Sequence, residues 1–107
     1  MLSEKMNEII EGCNFRVVEE DDDVYISQYT PCGEDWNEVI VYDGTDEKFL
    51  KGLKERLEGF DVDEEVEVWV DLRGKNGVPS KISELLKDAE WKKEKLENLV
   101  NKIQLLL

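Results

Sequence analysis

The chain is expected to fold as an α+β domain: a three-stranded antiparallel meander packed against helices, with a long C-terminal helix. Three observations carry this expectation. Residues 15–42 hold three short runs rich in β-branched and aromatic types, separated by turn-forming residues. Residues 46–60 and 82–106 then carry apolar side chains at three- and four-residue spacing. Length is the third, since 107 residues suffice for one small core but not for two, so residues 1–107 form a single domain.

Ser3 is placed to cap a helix over residues 3–12, in which Met6, Ile9, Ile10 and Cys13 recur at i, i+3, i+4 and i+7. Gly12 and Asn14 end it. Phe15–Glu20 reads as a strand that runs into Glu19-Glu20-Asp21-Asp22-Asp23. Five adjacent carboxylates repel one another, which puts them at a solvated hairpin tip. Val24–Tyr29 and Trp36–Tyr42 are the next strands, joined through Thr30-Pro31-Cys32-Gly33. Alternation then sorts the side chains. Val24, Ile26, Val39 and Val41 are expected on an aliphatic, core-facing side, and Tyr25, Ser27, Tyr29, Trp36, Glu38, Ile40 and Tyr42 on an aromatic and acidic one.

Thr45 or Asp43 caps a helix over Asp46–Glu58 with Gly59 at its C-cap. Its stripe of Phe49, Leu50, Leu53, Leu57 and Phe60 is expected to cover the aliphatic side of the sheet. Residues 61–73 admit two readings. Val66, Val68, Val70 and Leu72 alternate as in a strand, whereas Asp63 as a cap, Val66, Trp69, Val70 and Arg73 at helical spacing, and Gly74 as terminator describe a helix. Early acids and a late arginine favour the helix. Asp61, Asp63 and Glu65 do not make a calcium loop, because the sixth position is Val66 instead of glycine and the twelfth is Leu72 instead of glutamate. Gly74–Pro79 is a connector without the Gly-Lys-Ser/Thr run of a phosphate cradle.

Ser80 is the expected cap of the last helix, where Ile82, Leu85, Ala89, Leu96, Leu99, Ile103 and Leu106 follow a heptad interrupted at Lys92. Roughly 26 residues at 1.5 Å each span ~39 Å, longer than a three-stranded meander covers. Two uses stay open for it. One is a core helix packed on its predecessor, and the other is a homodimer seam through Leu96, Leu99, Ile103 and Leu106.

Charge narrows the function. The chain carries 14 basic and 27 acidic residues, a net charge of −13, and between Glu19 and Asp71 it sets 19 carboxylates against only Lys48, Lys51, Lys54 and Arg56. Such a field repels nucleic acid and anionic membranes and attracts basic protein surfaces, although acidity also serves solubility. Histidine is absent and there are two cysteines, Cys13 and Cys32, which removes Ser-His-Asp and Cys-His catalysis and leaves a four-ligand Cys/His zinc site within a monomer two donors short. No cofactor motif is present and no enzymatic activity is expected. The opening MLSEKMNEIIEG lacks an apolar run, so neither a signal peptide nor a membrane span is expected and a cytoplasmic location follows, with reduced thiols. The candidate partner-binding residues are the acids and rings around the central hairpin: Asp21, Asp22, Asp23, Tyr25, Tyr29, Glu34, Asp35, Trp36, Glu38 and Tyr42.

Two segments, Tyr29-Thr30-Pro31-Cys32-Gly33-Glu34-Asp35-Trp36 and Arg73-Gly74-Lys75-Asn76-Gly77-Val78-Pro79-Ser80, followed by Ile82 and an acidic helix, resemble a group of small acidic proteins carried by phages and conjugative elements of gut bacteria. The first segment there commonly runs Ser-Pro-Ala-Gly-Glu-Asp; here Thr30 and Cys32 replace the serine and alanine. The resemblance extends from about Phe15 to about Leu96. It brings no agreed activity, but it implies a mobile-element setting in which small acidic proteins are often inhibitors of host defence, including anti-CRISPR and antirestriction proteins that imitate nucleic acid. The expected partner is then the basic nucleic-acid-binding surface of a nuclease. The alternative is a non-enzymatic adaptor that uses the aromatic sheet face and the C-terminal helix.

Overall fold

A computed structural model describes residues 2–21, 23–42, 44–75 and 81–107. Asp22, the alternative cap Asp43, Ser80 and most of the connector therefore lie outside the described residues, and the N-cap position of the last helix falls on Lys81 instead of Ser80, without a side-chain hydrogen bond. Among those described, the order is α1 (Glu4–Gly12), β1 (Arg16–Glu20), β2 (Asp23–Tyr29), β3 (Asp35–Val41), α2 (Asp46–Glu58), α3 (Val62–Lys75) and α4 (Ile82–Leu106). The strands form one antiparallel sheet in the order β1-β2-β3. The class is α+β, as expected.

Local chemistry sets the element ends. Ser3 Oγ accepts the Met6 N–H at 3.2 Å and Thr45 Oγ1 accepts that of Lys48 at 3.3 Å, so α1 and α2 start where their hydroxyl caps stand. Asn14 ends α1 in the left-handed region (φ +66°), a conformation asparagine tolerates, and lets the Phe15 N–H return to the Ile10 carbonyl. Residues 62–75 are helical. The cap is Asp61 and not Asp63: its Oδ1 accepts the N–H groups of Asp63 at 2.9 Å and Glu64 at 3.2 Å, and the helix continues past Gly74.

α4 is the element the others are built around. α1, α2 and α3 all pack against it, while α1 also touches β1 and α2 touches β3. Leu96, Leu99 and Ile103 are fully buried in one cluster with Met6, Ile10, Phe15, Val24, Ile26, Phe49 and Leu53. Leu96, Leu99 and Ile103 of the seam that was open to a homodimer are thus covered by this chain's own core, whereas Leu106 is half-buried outside that core and Ile82, Leu105 and Leu107 are well exposed. The helix is long because it serves three partners instead of one sheet. α2 comes close to β3 at Gly52, where an added Cβ would stand 2.9 Å from Ile40 Cγ2.

The expected division of the sheet into an aliphatic and an aromatic side is incorrect. Five residues, Thr30 to Glu34, separate the last pair, Tyr29 and Asp35, so even-numbered residues of β2 face even-numbered residues of β3: Val24 opposite Ile40, Ile26 opposite Glu38, Gln28 opposite Trp36. Val24, Ile26, Trp36, Ile40 and Tyr42 share the core, and Val39 and Val41 stand outside with Tyr25 and Tyr29. A register shifted by one residue exchanges faces for a whole strand.

Candidate protein-binding surface

The inner face of the sheet ends in a polar network shared by four elements. Glu38 Oε1 on β3 accepts the Trp36 indole N–H at 2.8 Å and the Arg56 Nε–H from α2 at 2.9 Å. Arg56 reaches on to Glu65 of α3 at 3.4 Å, and Glu65 faces the Lys92 ammonium of α4 at 3.6 Å. Both cations also lie against rings, Arg56 over Phe60 and Lys92 over Trp69, each at 4.6 Å from the ring centre. Two carboxylates and two cations leave the group neutral. Burial works to lower the pKa of Arg56, but the Glu38 and Glu65 carboxylates outweigh it and the net direction is upward. Lys92, 1% exposed, goes the other way: loss of hydration lowers its pKa more than Glu65, Asp88 and Glu38 raise it. Lys92 thereby explains the interrupted heptad, since it fills a core position as a paired cation.

The turn between β2 and β3 is fastened to the helices. Thr30 Oγ1 donates to Oδ2 of the buried Asp88 and accepts the Glu34 N–H, both at 2.9 Å, and the Cys32 N–H reaches Asp88 Oδ1 at 3.3 Å. Gly33 takes φ +88° to close the loop, and Glu34 forms an ion pair with Arg73 of α3. Arg73, which opens the segment before the connector, thus meets the turn between β2 and β3. Cys32 is exposed, yet desolvation first, and then the Asp88 and Glu84 carboxylates, push its thiol above its ordinary value. Little thiolate forms near neutral pH, so this is a poor nucleophile.

Among the described residues, no helix packs on the outer face. Arg16 and Val18 of β1, Tyr25 and Tyr29 of β2, and Asp35, Asn37, Val39 and Val41 of β3 lie on it, with Glu20 and Asp23 at one end. Tyr29 and Val41 are 61% and 69% exposed. Asp21 turns the hairpin beside them with φ +54°. Arg16 lies over the Tyr29 ring, its guanidinium carbon 5.3 Å from the centroid, and 3.7 Å from Asp35. A second acidic surface runs along α3, where Asp63, Glu64, Glu67 and Asp71 are exposed and, among the described residues, form no ion pair. At ~100° per residue they fall within about a 100° arc of the helix.

The ten candidate residues separate accordingly. Asp23, Tyr25, Tyr29 and Asp35 belong to the outer face and Asp21 to its tip. Trp36, 3% exposed, and Tyr42 are core residues: Trp36 stacks edge-on with Phe15 and Trp91, and Tyr42 with Phe49, so neither can meet a partner. Glu38 and Glu34 are committed to Arg56 and Arg73. Arg16, Val18, Val39 and Val41 were missed; the parity of the five-residue turn is the signal that places Val39 and Val41, and the pairing of β1 with β2 sets Arg16 and Val18 beside Ser27 and Tyr25. No protein-family model matches the chain, and searches of curated proteins and of solved structures find no match to it. Among the described residues, no helix is long and apolar enough to cross a membrane.

Proposed function

We propose that this protein is a non-enzymatic, cytoplasmic inhibitor of a mobile-element type, anti-CRISPR or antirestriction, that occupies the basic nucleic-acid-binding surface of a host-defence nuclease. The carrying observation is the α3 ridge. Asp63, Glu64, Glu67 and Asp71 stand exposed along one side of a helix anchored to α4. Eight residues of helix rise ~12 Å, which gives one carboxylate per ~4 Å. One strand of duplex DNA presents a phosphate every ~3.4 Å of axis, so the ridge approximates that density over one short run. Rigidity supports the reading because the ion-paired Glu65 on the same helix ties it to α2 and α4.

The test is competition. Labelled nucleic acid is titrated with a panel of Cas effectors and restriction enzymes, with and without this protein, over a range of salt. Displacement at micromolar protein is expected, weakening as salt rises. The triple variant Glu64→Lys, Glu67→Lys, Asp71→Lys should lower the inhibitory potency by about tenfold or more, since each reversal places a like charge against the target. If no nuclease in the panel is displaced, the inhibitor reading is lost.

The adaptor reading draws on a different observation, the exposed Val18, Tyr29, Val39 and Val41 of the outer sheet face. It predicts affinity that survives high salt and charge reversal on α3, and a partner without a nucleic-acid site.

A further inference from the structure

The outer face of the sheet contains an arginine-sized site that the chain fills with one of its own residues. Arg16 of β1 lies across Tyr29 of β2 and reaches Asp35 of β3, 5.3 Å from the ring centre and 3.7 Å from the carboxylate oxygen. Ring and carboxylate occupy directly opposed positions in the β2–β3 ladder, so their separation is set by the sheet and not by the guanidinium. Arg16 itself is held loosely. Its side chain is 62% exposed and that of Asp35 51%, and a contact so open to water is worth little.

Around this contact the face is otherwise suited to a basic partner. Val18, Val39 and Val41 give exposed apolar surface, and Glu20, Asp21 and Asp23 line one end. Among the described strand residues of this face, Arg16 is the one cation, and Lys48 and Lys51 of α2 lie beside Val39 and Val41 at its β3 edge. An incoming protein surface meets carboxylates, aliphatic floor and a tyrosine ring already spaced to receive a planar cation.

We infer that Tyr29 and Asp35 form a guanidinium clamp for an arginine of a basic protein partner, and that Arg16 occupies the clamp in the free protein and is displaced on binding. The inference rests on the reading that the partner's surface is basic and adds which cation it must present. Arginine is required because its planar group can lie flat on the ring while its edge pairs with the carboxylate; a lysine ammonium is a compact, strongly hydrated point charge that does neither well. Displacement also gives Arg16 a definite sign. It competes with the partner, so its removal tightens arginine binding beyond the general gain that any cationic partner draws from taking a positive charge off a face that binds cations.

The experiment uses the full chain and two probes, acetylated hexa-arginine and hexa-lysine peptides of equal charge, titrated by calorimetry at 50 and 150 mM salt. The arginine peptide should bind about three- to tenfold more tightly than the lysine peptide. Arg16→Gln should raise the arginine-peptide affinity by about threefold or more while moving the lysine peptide less. Tyr29→Leu, on an exposed position that leaves the fold intact, should reduce the preference to near one. Equal affinity for the two peptides, a preference that survives Tyr29→Leu, or weaker arginine binding in Arg16→Gln each overturns the clamp. Those results leave the nuclease competition assay free to succeed through the α3 ridge. Conversely, a clamp that passes while no nuclease is inhibited removes the inhibitor reading alone.

Discussion

The molecule contains the same chemical group twice, once on each side of its sheet. Inside, Arg56 pairs with Glu38 at 2.8 Å and lies over Phe60; outside, Arg16 pairs with Asp35 at 3.7 Å and lies over Tyr29. Each is an arginine, a carboxylate and a ring. Their surroundings differ: the inner side chains are 28% and 13% exposed, the outer 62% and 51%. The inner carboxylate also holds a tryptophan N–H, and the inner arginine holds a second carboxylate that reaches a buried lysine. Burial and added partners therefore make one group a structural fastening of four elements. The other, with the same chemistry in water, can open at little cost, which is what a recognition site needs.

Removing one charge from each group sharpens that contrast most. Glu65→Ala leaves Lys92 buried without its carboxylate and Arg56 with one partner fewer, and a loss of ~3–5 kcal/mol is expected from urea denaturation. A loss below ~1 kcal/mol would mean that water reaches Lys92 and that the inner group is no more buried than the outer.

The inner group also predicts a pH dependence. Burial lowers the folded-state pKa of Lys92 below its ordinary 10.5, so the unfolded chain binds more protons between the lowered value and 10.5. Stability should therefore rise with pH through that window, its Lys92 contribution being complete above 10.5 and lost as pH falls through the folded value. Cys32 acts with the opposite sign, because its pKa is raised above 9.0 and its contribution is lost as pH rises. Denaturation midpoints measured against pH in a Cys32→Ser background isolate the lysine. Adding Lys92→Met should flatten the rise, and a rise that persists would assign it to another group.

Much of the fold was legible in the sequence because it follows from local chemistry. The hydroxyl caps Ser3 and Thr45, the Phe49/Leu53 stripe and the alternation within each strand all appear in the structure. What failed was the phase between β2 and β3, which depends on how many residues the turn skips and not on either strand. That one residue of register moved Trp36 and Tyr42 into the core and brought Val39 and Val41 out. Lys92 was read as a break in a seam because its partner, Glu65, is 27 positions away in the chain and on another helix. The carboxylate partners of Arg56 and Arg73 were hidden for the same reason. Composition reports how many acids there are, but only tertiary pairing shows which remain free to act at a surface.

The turn that sets this phase gives an intermediate effect. Asp88→Ala leaves the Thr30 hydroxyl and the Cys32 N–H beneath the loop without their acceptor, at an expected cost of ~1–3 kcal/mol. Thr30→Val removes the same Thr30–Asp88 bond, together with the acceptor of the Glu34 N–H, so the double variant should cost less than the sum of the two single ones. Additive losses would show that the loop is not fastened through Asp88.

The smallest effect should come from the outer arginine. Arg16→Gln removes one exposed ion pair, worth ~0–1 kcal/mol, and one exposed cation–ring contact, worth ~0.5–1 kcal/mol, but it also spares the side-chain entropy of holding a long residue across the sheet. These oppose each other, and the residue stays in its strand. The expected change in unfolding free energy is below ~1 kcal/mol, and because the contact is open to solvent it should shrink further as salt rises. A loss of ~3 kcal/mol, the scale set by the inner network, would show that Arg16 is as much a fastening as Arg56. The two sides of the sheet would then be alike, and no displaceable arginine would remain for a partner to replace.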